Sequence, residues 1–131
     1  MDLPKNEKTF TVDITGETTG QQYQGEFTVV CVLNMLKRRQ LELEKTRLKA
    51  DTLNPTAGLE ALAQVMSHLR VRIINGPEWW KQSEGGLNIM DENVIVELYD
   101  KCLEQELAWV SEVKDKGQKA SQGNAKAETT T

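Results

Sequence analysis

Thr9-Phe10-Thr11-Val12-Asp13-Ile14-Thr15 alternates without a break. Phe10, Val12 and Ile14 point one way, and Thr11, Asp13 and Thr15 the other, which is the period of a half-buried strand. Gly16-Glu17-Thr18-Thr19-Gly20 comes next, with turn chemistry. Alternation resumes from Tyr23 to Val32, with Tyr23, Gly25, Phe27, Val29 and Cys31 on one face. The two runs read as an antiparallel hairpin joined by an open loop. Two strands alone are marginal in water, so the hairpin must pack on helices or join strands of another chain.

Helical patterns occupy most of the chain beyond the hairpin. Residues 33–50 hold strong helix formers and no glycine or proline. Leu36, Leu43 and Ala50 recur every seven residues, while Leu41 and Leu48 form a second row on nearly the opposite side. A helix with two apolar rows is covered on both, by its own fold or by a second subunit. Asn54-Pro55 reads as an N-cap and first helical residue. The helix it opens carries Leu59, Leu62, Ala63, Met66, Leu69 and Ile73 on one face, and Asn75-Gly76-Pro77 ends it. A last helix, capped by Asp91 and running to about 114, has its apolar face at Ile95, Leu98, Tyr99, Cys102, Leu103, Trp109, Val110 and Val113. Glu106 falls within that face and needs a partner there. The expected architecture is an α+β domain over residues 1–114, a β-hairpin packed with three helices, followed by a mobile polar tail over 115–131.

Composition bounds the function. The 131 residues suffice for one core, and 27% charged with 38% hydrophobic content suits a globular chain. No run approaches the ~20 apolar residues of a membrane span, and Met1-Asp2-Leu3-Pro4-Lys5 lacks the apolar stretch of a signal peptide. Intracellular synthesis is expected, with Cys31 and Cys102 as buried reduced thiols. The net charge of −4 is unevenly spread: six Lys or Arg face three acids over residues 33–53, and three Lys face nine acids over 77–114. This distribution argues against general nucleic-acid binding and for contacts between proteins. It also leads us to expect Arg38, Arg39 or Arg47 on carboxylates of the last helix, within a chain or between copies.

Candidate chemistry is sparse. His68, the sole histidine, sits opposite the apolar face of its helix and is expected in solvent. No metal-ligand spacing, catalytic triad or phosphate-binding glycine loop accompanies it. Neither catalytic residues nor a cofactor or metal are therefore expected. The outstanding feature is Pro77-Glu78-Trp79-Trp80, which holds two of the three tryptophans between two patterned helices. A tryptophan has a large apolar body and one N–H that wants a partner, so such a segment is an anchor. The expectation is one indole buried under the last helix and the other at a surface used by a partner. Trp79, Trp80, Arg38, Arg39, Leu36 and Leu43 are thus the candidate interaction residues.

Gly25-Glu26-Phe27 in the hairpin, the charged helix, the Pro-x-Trp-Trp segment, the Gly-rich turn and the Asp91-Glu92-Asn93-Val94-Ile95…Leu98-Tyr99 helix ending near Trp109 occur in a telling order. Over residues 8–114 the chain resembles small accessory proteins of tailed bacteriophages, of the tail-assembly-chaperone or virion-structural kind. The resemblance implies a non-enzymatic protein that binds other virion or assembly proteins in many copies, in the host cytoplasm or incorporated into the virion. It supplies no catalytic residues to carry over. An alternative expectation is a small nucleic-acid-associated regulator using the basic 37–49 helix, with Lys37, Arg38, Arg39, Arg70 and Arg72 on phosphates.

Overall fold

A computed structural model describes residues 3–50 and 52–129, with side chains described through Gly117. The hairpin forms as expected: β1 (Glu7–Thr15) and β2 (Gln22–Val30) pair antiparallel. The register sets Phe10 opposite Phe27 and Ile14 opposite Tyr23. The two phenylalanine rings stack at 5.7 Å, a cross-strand pair of the kind that stabilises a sheet. Val12, Ile14, Tyr23, Phe27 and Val29 are buried, and the threonines between them face outward.

Helix α1 (Met35–Leu48) comes next, then α2 (Ala57–Arg72), the short strand β3 (Ile73–Asn75), the one-turn helix α3 (Glu78–Lys81) and α4 (Glu92–Thr129). The α+β class stands, with a third strand and an extra helical turn beyond the hairpin and three helices. Strand β3 pairs antiparallel with β2, which makes β2 the centre of the sheet. The chain leaves α2 directly into β3 because Ile73 turns extended, at φ −75° and ψ 115°. Helix α2 therefore stops at Arg72, short of the expected stop at Asn75-Gly76-Pro77.

Each helix start has its own cause. Asn34 caps α1, its Oδ1 accepting from the Lys37 amide at 2.9 Å. For α2 the cap is Thr56, whose Oγ1 accepts from Leu59 N at 3.1 Å, so the helix begins two residues after the expected Asn54-Pro55 start. Helix α4 continues to Thr129, past the expected end near 114. Lys, Ala and Gln lead that stretch and favour helix against its two glycines. Of the tail expected over 115–131, the side chains beyond Gly117 and residues 130–131 lie outside the described residues.

The main core joins the inner sheet face to Met66 and Leu69 of α2, Trp80 of α3, and Val94, Ile95, Leu98 and Cys102 of α4. Phe27, Leu69, Val94 and Leu98 are fully enclosed, each contributing roughly 1.5–3 kcal/mol by transfer from water. A second cluster of Leu33, Leu41 and Val71, with Val30 beside it, seats α1. Helix α2 thus packs against α1 as well as against α4 and the sheet. This double covering explains a correction: His68 is buried, 8% exposed, where the single-face reading of α2 placed it in solvent. Leu62, expected in the core, is exposed instead.

Candidate protein-protein interface and the polar clamps behind it

The tryptophans sit on the sheet. Trp80 is buried, meeting Phe27 edge to face at 5.9 Å. Gly86, at φ +92°, lets the following loop close on it, since a Cβ there would strike Trp80 and Met66. Trp79 is half-buried, edge-on to Tyr23 at 5.0 Å and Phe27 at 5.5 Å, and its Nε1 donates to the Gln24 carbonyl at 2.8 Å. Both indoles therefore engage β2. The local helical turn of α3 is what brings two successive side chains onto one sheet, which an extended segment could not do.

Helix α1 resolves into one covered row and one open row. Leu41 is buried and Leu48 half-buried, whereas Leu36 and Leu43 stand 60% and 53% exposed beside Met35. Arg39 lies one turn after Leu36 and one turn before Leu43, on the same outer face. Arg38 and Arg39 are exposed, and no ion pair among the described residues involves either. Arg47 pairs with Glu44 of its own helix at 2.9 Å. Among the described residues none of these arginines pairs with a carboxylate of α4 within the chain, one of the two arrangements expected. The basic-to-acidic links to α4 run instead from Arg72 to Glu106 at 3.0 Å and from Lys8 to Glu112 at 2.6 Å.

Helix α4 also has an open row, of which the sequence named only Leu103, and that as part of the apolar core face. Val96 and Leu107 are exposed and Leu103 half-buried, with Asp100 among them and Glu97 and Glu104 alongside. The seven-residue step from Val96 to Leu103 was visible, but the stronger row of core residues on the other side masked it.

Two polar clamps hold the elements that carry these faces. The first centres on Asp91, fully buried at the start of α4. Its carboxylate, expected to cap its own helix, instead seizes the β1–β2 turn. It accepts from Thr18 N at 2.8 Å, Thr19 N at 2.9 Å, Thr19 Oγ1 at 2.6 Å and the Tyr23 hydroxyl at 2.6 Å. Asn93 adds a second link, accepting from Glu17 N and donating to the Thr15 carbonyl. Gly16 is required by close approach, because any Cβ there would collide with the Asp91 carboxylate. The hydroxyls of Thr19 and Tyr23, then the turn amides, hold the Asp91 acid down at about 2.

The second clamp centres on Arg72, 3% exposed. It donates from Nη1 to the Cys31 carbonyl at 2.6 Å, from Nη2 to Glu106 at 3.0 Å, and from Nε to His68 Nδ1 at 3.0 Å. One guanidinium therefore ties α2 to the end of the sheet and to α4, and Glu106 finds the partner it needs. The Gln64 amide group lies against the other ring nitrogen, its Nε2 3.0 Å from His68 Nε2. Burial, then the adjacent Arg72 charge, pushes His68 down to about 4.

A cleft of about 460 Å³ opens where Arg38, Glu42, His68, Arg72 and Glu106 converge. The His68 and Arg72 polar groups in its wall are bound to one another or to the fold, and no buried side-chain nitrogen or oxygen among the described residues lacks a partner. Among the described residues no three His, Cys, Asp or Glu groups converge in a way that would hold a metal ion. No helix described is long and apolar enough to cross a membrane. Cys31 and Cys102 are buried free thiols, the latter pushed up to about 12 by burial.

The two clamps set an acid profile. Neutral His68 contributes stability above its unfolded value of 6.5, lost as pH falls toward about 4, with a magnitude up to ~3 kcal/mol. The Asp91 carboxylate contributes above 3.8, and that contribution fades toward about 2. Denaturant unfolding of the wild type should weaken in the upper window, and His68→Gln should flatten that window. Asp91→Asn should reduce the lower one. Stability that stays level between pH 6.5 and 4 would refute the neutral, clamped histidine.

No protein-family model, curated protein or solved structure matches this chain.

Proposed function

We propose that the chain is a non-enzymatic assembly or structural protein that works through protein-protein contacts in multiple copies, of the tail-assembly-chaperone or virion-accessory kind found in tailed bacteriophages. The observation that carries the assembly reading is the outer row of α1, where Met35, Leu36 and Leu43 face solvent. Exposing such a row costs solubility unless something covers it, and a second protein surface is the usual cover. The polar clusters support the same reading, since Asp91, His68, Arg72 and Glu106 are spent on holding elements together. The regulator reading loses two of its basic residues: Arg72 is buried, and Arg70 is engaged by Glu44 at 3.0 Å and by the Glu84 carbonyl at 2.9 Å. The phage assignment is carried by the element order and the Pro-x-Trp-Trp segment. It is tested by mass spectrometry of purified virions and of their assembly intermediates from the source of the gene.

Light scattering on Leu36→Glu and Leu43→Glu tests the role of α1. Each should reduce the assembled mass relative to wild type, weakening association by ~2 kcal/mol or more as loss of an apolar anchor does. Circular dichroism and unfolding midpoint should stay near wild type, because both side chains lie outside the core. Unchanged assembly in both variants would remove α1 from the interface.

A further inference from the structure

We propose that the acidic outer face of α4 is the docking surface for the basic outer face of α1 in the next copy of the chain. This rests on the self-assembly reading above and adds where the second copy sits. The argument is charge complementarity between two open apolar rows. On α1, Leu36, Arg39 and Leu43 fall at i, i+3 and i+7, the spacing by which a helix anchors into a groove. On α4, Val96, Leu103 and Leu107 make the apolar row, with Asp100 set within it. A cleft of about 430 Å³ opens at one end of that row, lined by Glu17, Glu92, Asn93, Val96, Glu97 and Asp100. Four carboxylates and no cation face this cleft. No ion pair among the described residues involves Arg38, Arg39, Glu17, Glu92, Glu97 or Asp100.

The alternative contact, α1 against α1, is opposed by charge. It would bring two Arg38-Arg39 pairs together on a surface whose own carboxylates, Glu42 and Glu44, are already paired with Lys45 and Arg47. Two α4 faces would set carboxylates against carboxylates. Docking α1 on α4 instead places leucines on Val96 and Leu103 and Arg39 on Asp100. Because the two faces are different patches of one chain, they can meet reciprocally in a two-fold dimer or head to tail in a ring or filament.

Sedimentation velocity over a concentration series, at low and moderate salt, tests this with Arg39→Glu, Asp100→Lys, the double variant, and an equimolar mixture of the single variants. Either single change should weaken self-association about tenfold or more, through like charges meeting at the contact. The double variant and the mixture should both recover it, since each restores opposite charges across a contact. Added salt should weaken the wild type. Wild-type assembly untouched by Asp100→Lys, or no recovery in the mixture of folded single variants, overturns the α1-on-α4 contact and leaves self-assembly standing. A wild type that remains monomeric throughout overturns both.

Discussion

Trp80→Ala should lower the unfolding free energy by about 3–5 kcal/mol, the lost transfer energy of a buried indole plus the cavity it leaves. The neighbours give the reason. Phe27 packs edge-on to the ring, and Gly76 and Gly86 approach it so closely that neither tolerates a Cβ without displacement. A rigid backbone on two sides cannot collapse into the void. Trp79→Ala should cost less, about 1–3 kcal/mol, from two edge-to-face contacts and one hydrogen bond to the Gln24 carbonyl. Denaturant titrations of the two variants check the ranking. Equal costs, or a larger cost at Trp79, would contradict the assignment of Trp80 as the core indole.

Arg72→Ala should be of similar size, about 3–5 kcal/mol, because it breaks a buried ion pair from one side and opens space in the core. Three acceptors lose their donor at once: the Cys31 carbonyl, His68 Nδ1 and the Glu106 carboxylate. Glu106→Leu alone should also destabilise, since it leaves the guanidinium enclosed without its counter-charge. Arg72→Met combined with Glu106→Leu should cost less than the two single changes added together, as apolar replacement of both partners often does. A double-mutant cycle on these positions measures the coupling. Strict additivity would show that the two side chains do not act as one clamp.

The strands were legible because alternation over seven and more residues has a single reading, and every inward position named from Phe10 to Cys31 is buried or half-buried. Strand β3 was not, because Ile73-Ile74-Asn75 is too short to show a period and its first isoleucine also fits the α2 face. The same shortness hid α3, whose four residues decide the direction of both tryptophans. His68 was misplaced for a different reason: one apolar stripe on α2 was visible, but on the second covered side Val71 stands among the buried polar residues Ser67, His68 and Arg72, too little to show as a stripe. Asp91 illustrates the limit for capping signals. An aspartate before a helix can cap it or reach elsewhere, and only the fold shows the β1–β2 turn waiting with its amides. The seven-residue step of Leu36 and Leu43 marked one row of α1, but only the fold shows that this row is the exposed one and that Arg38 and Arg39 meet no carboxylate of α4 among the described residues of their own chain. The open row on α4 lay behind a stronger core pattern.

Sedimentation velocity of the unaltered chain, from micromolar to near-millimolar concentration, bears most directly on whether this is a self-assembling protein. Self-assembly through the open rows of α1 and α4 predicts a weight-average mass that rises with concentration. A single sharp monomer boundary, unchanged across the whole range, would contradict self-assembly and leave those rows without an occupant from this chain.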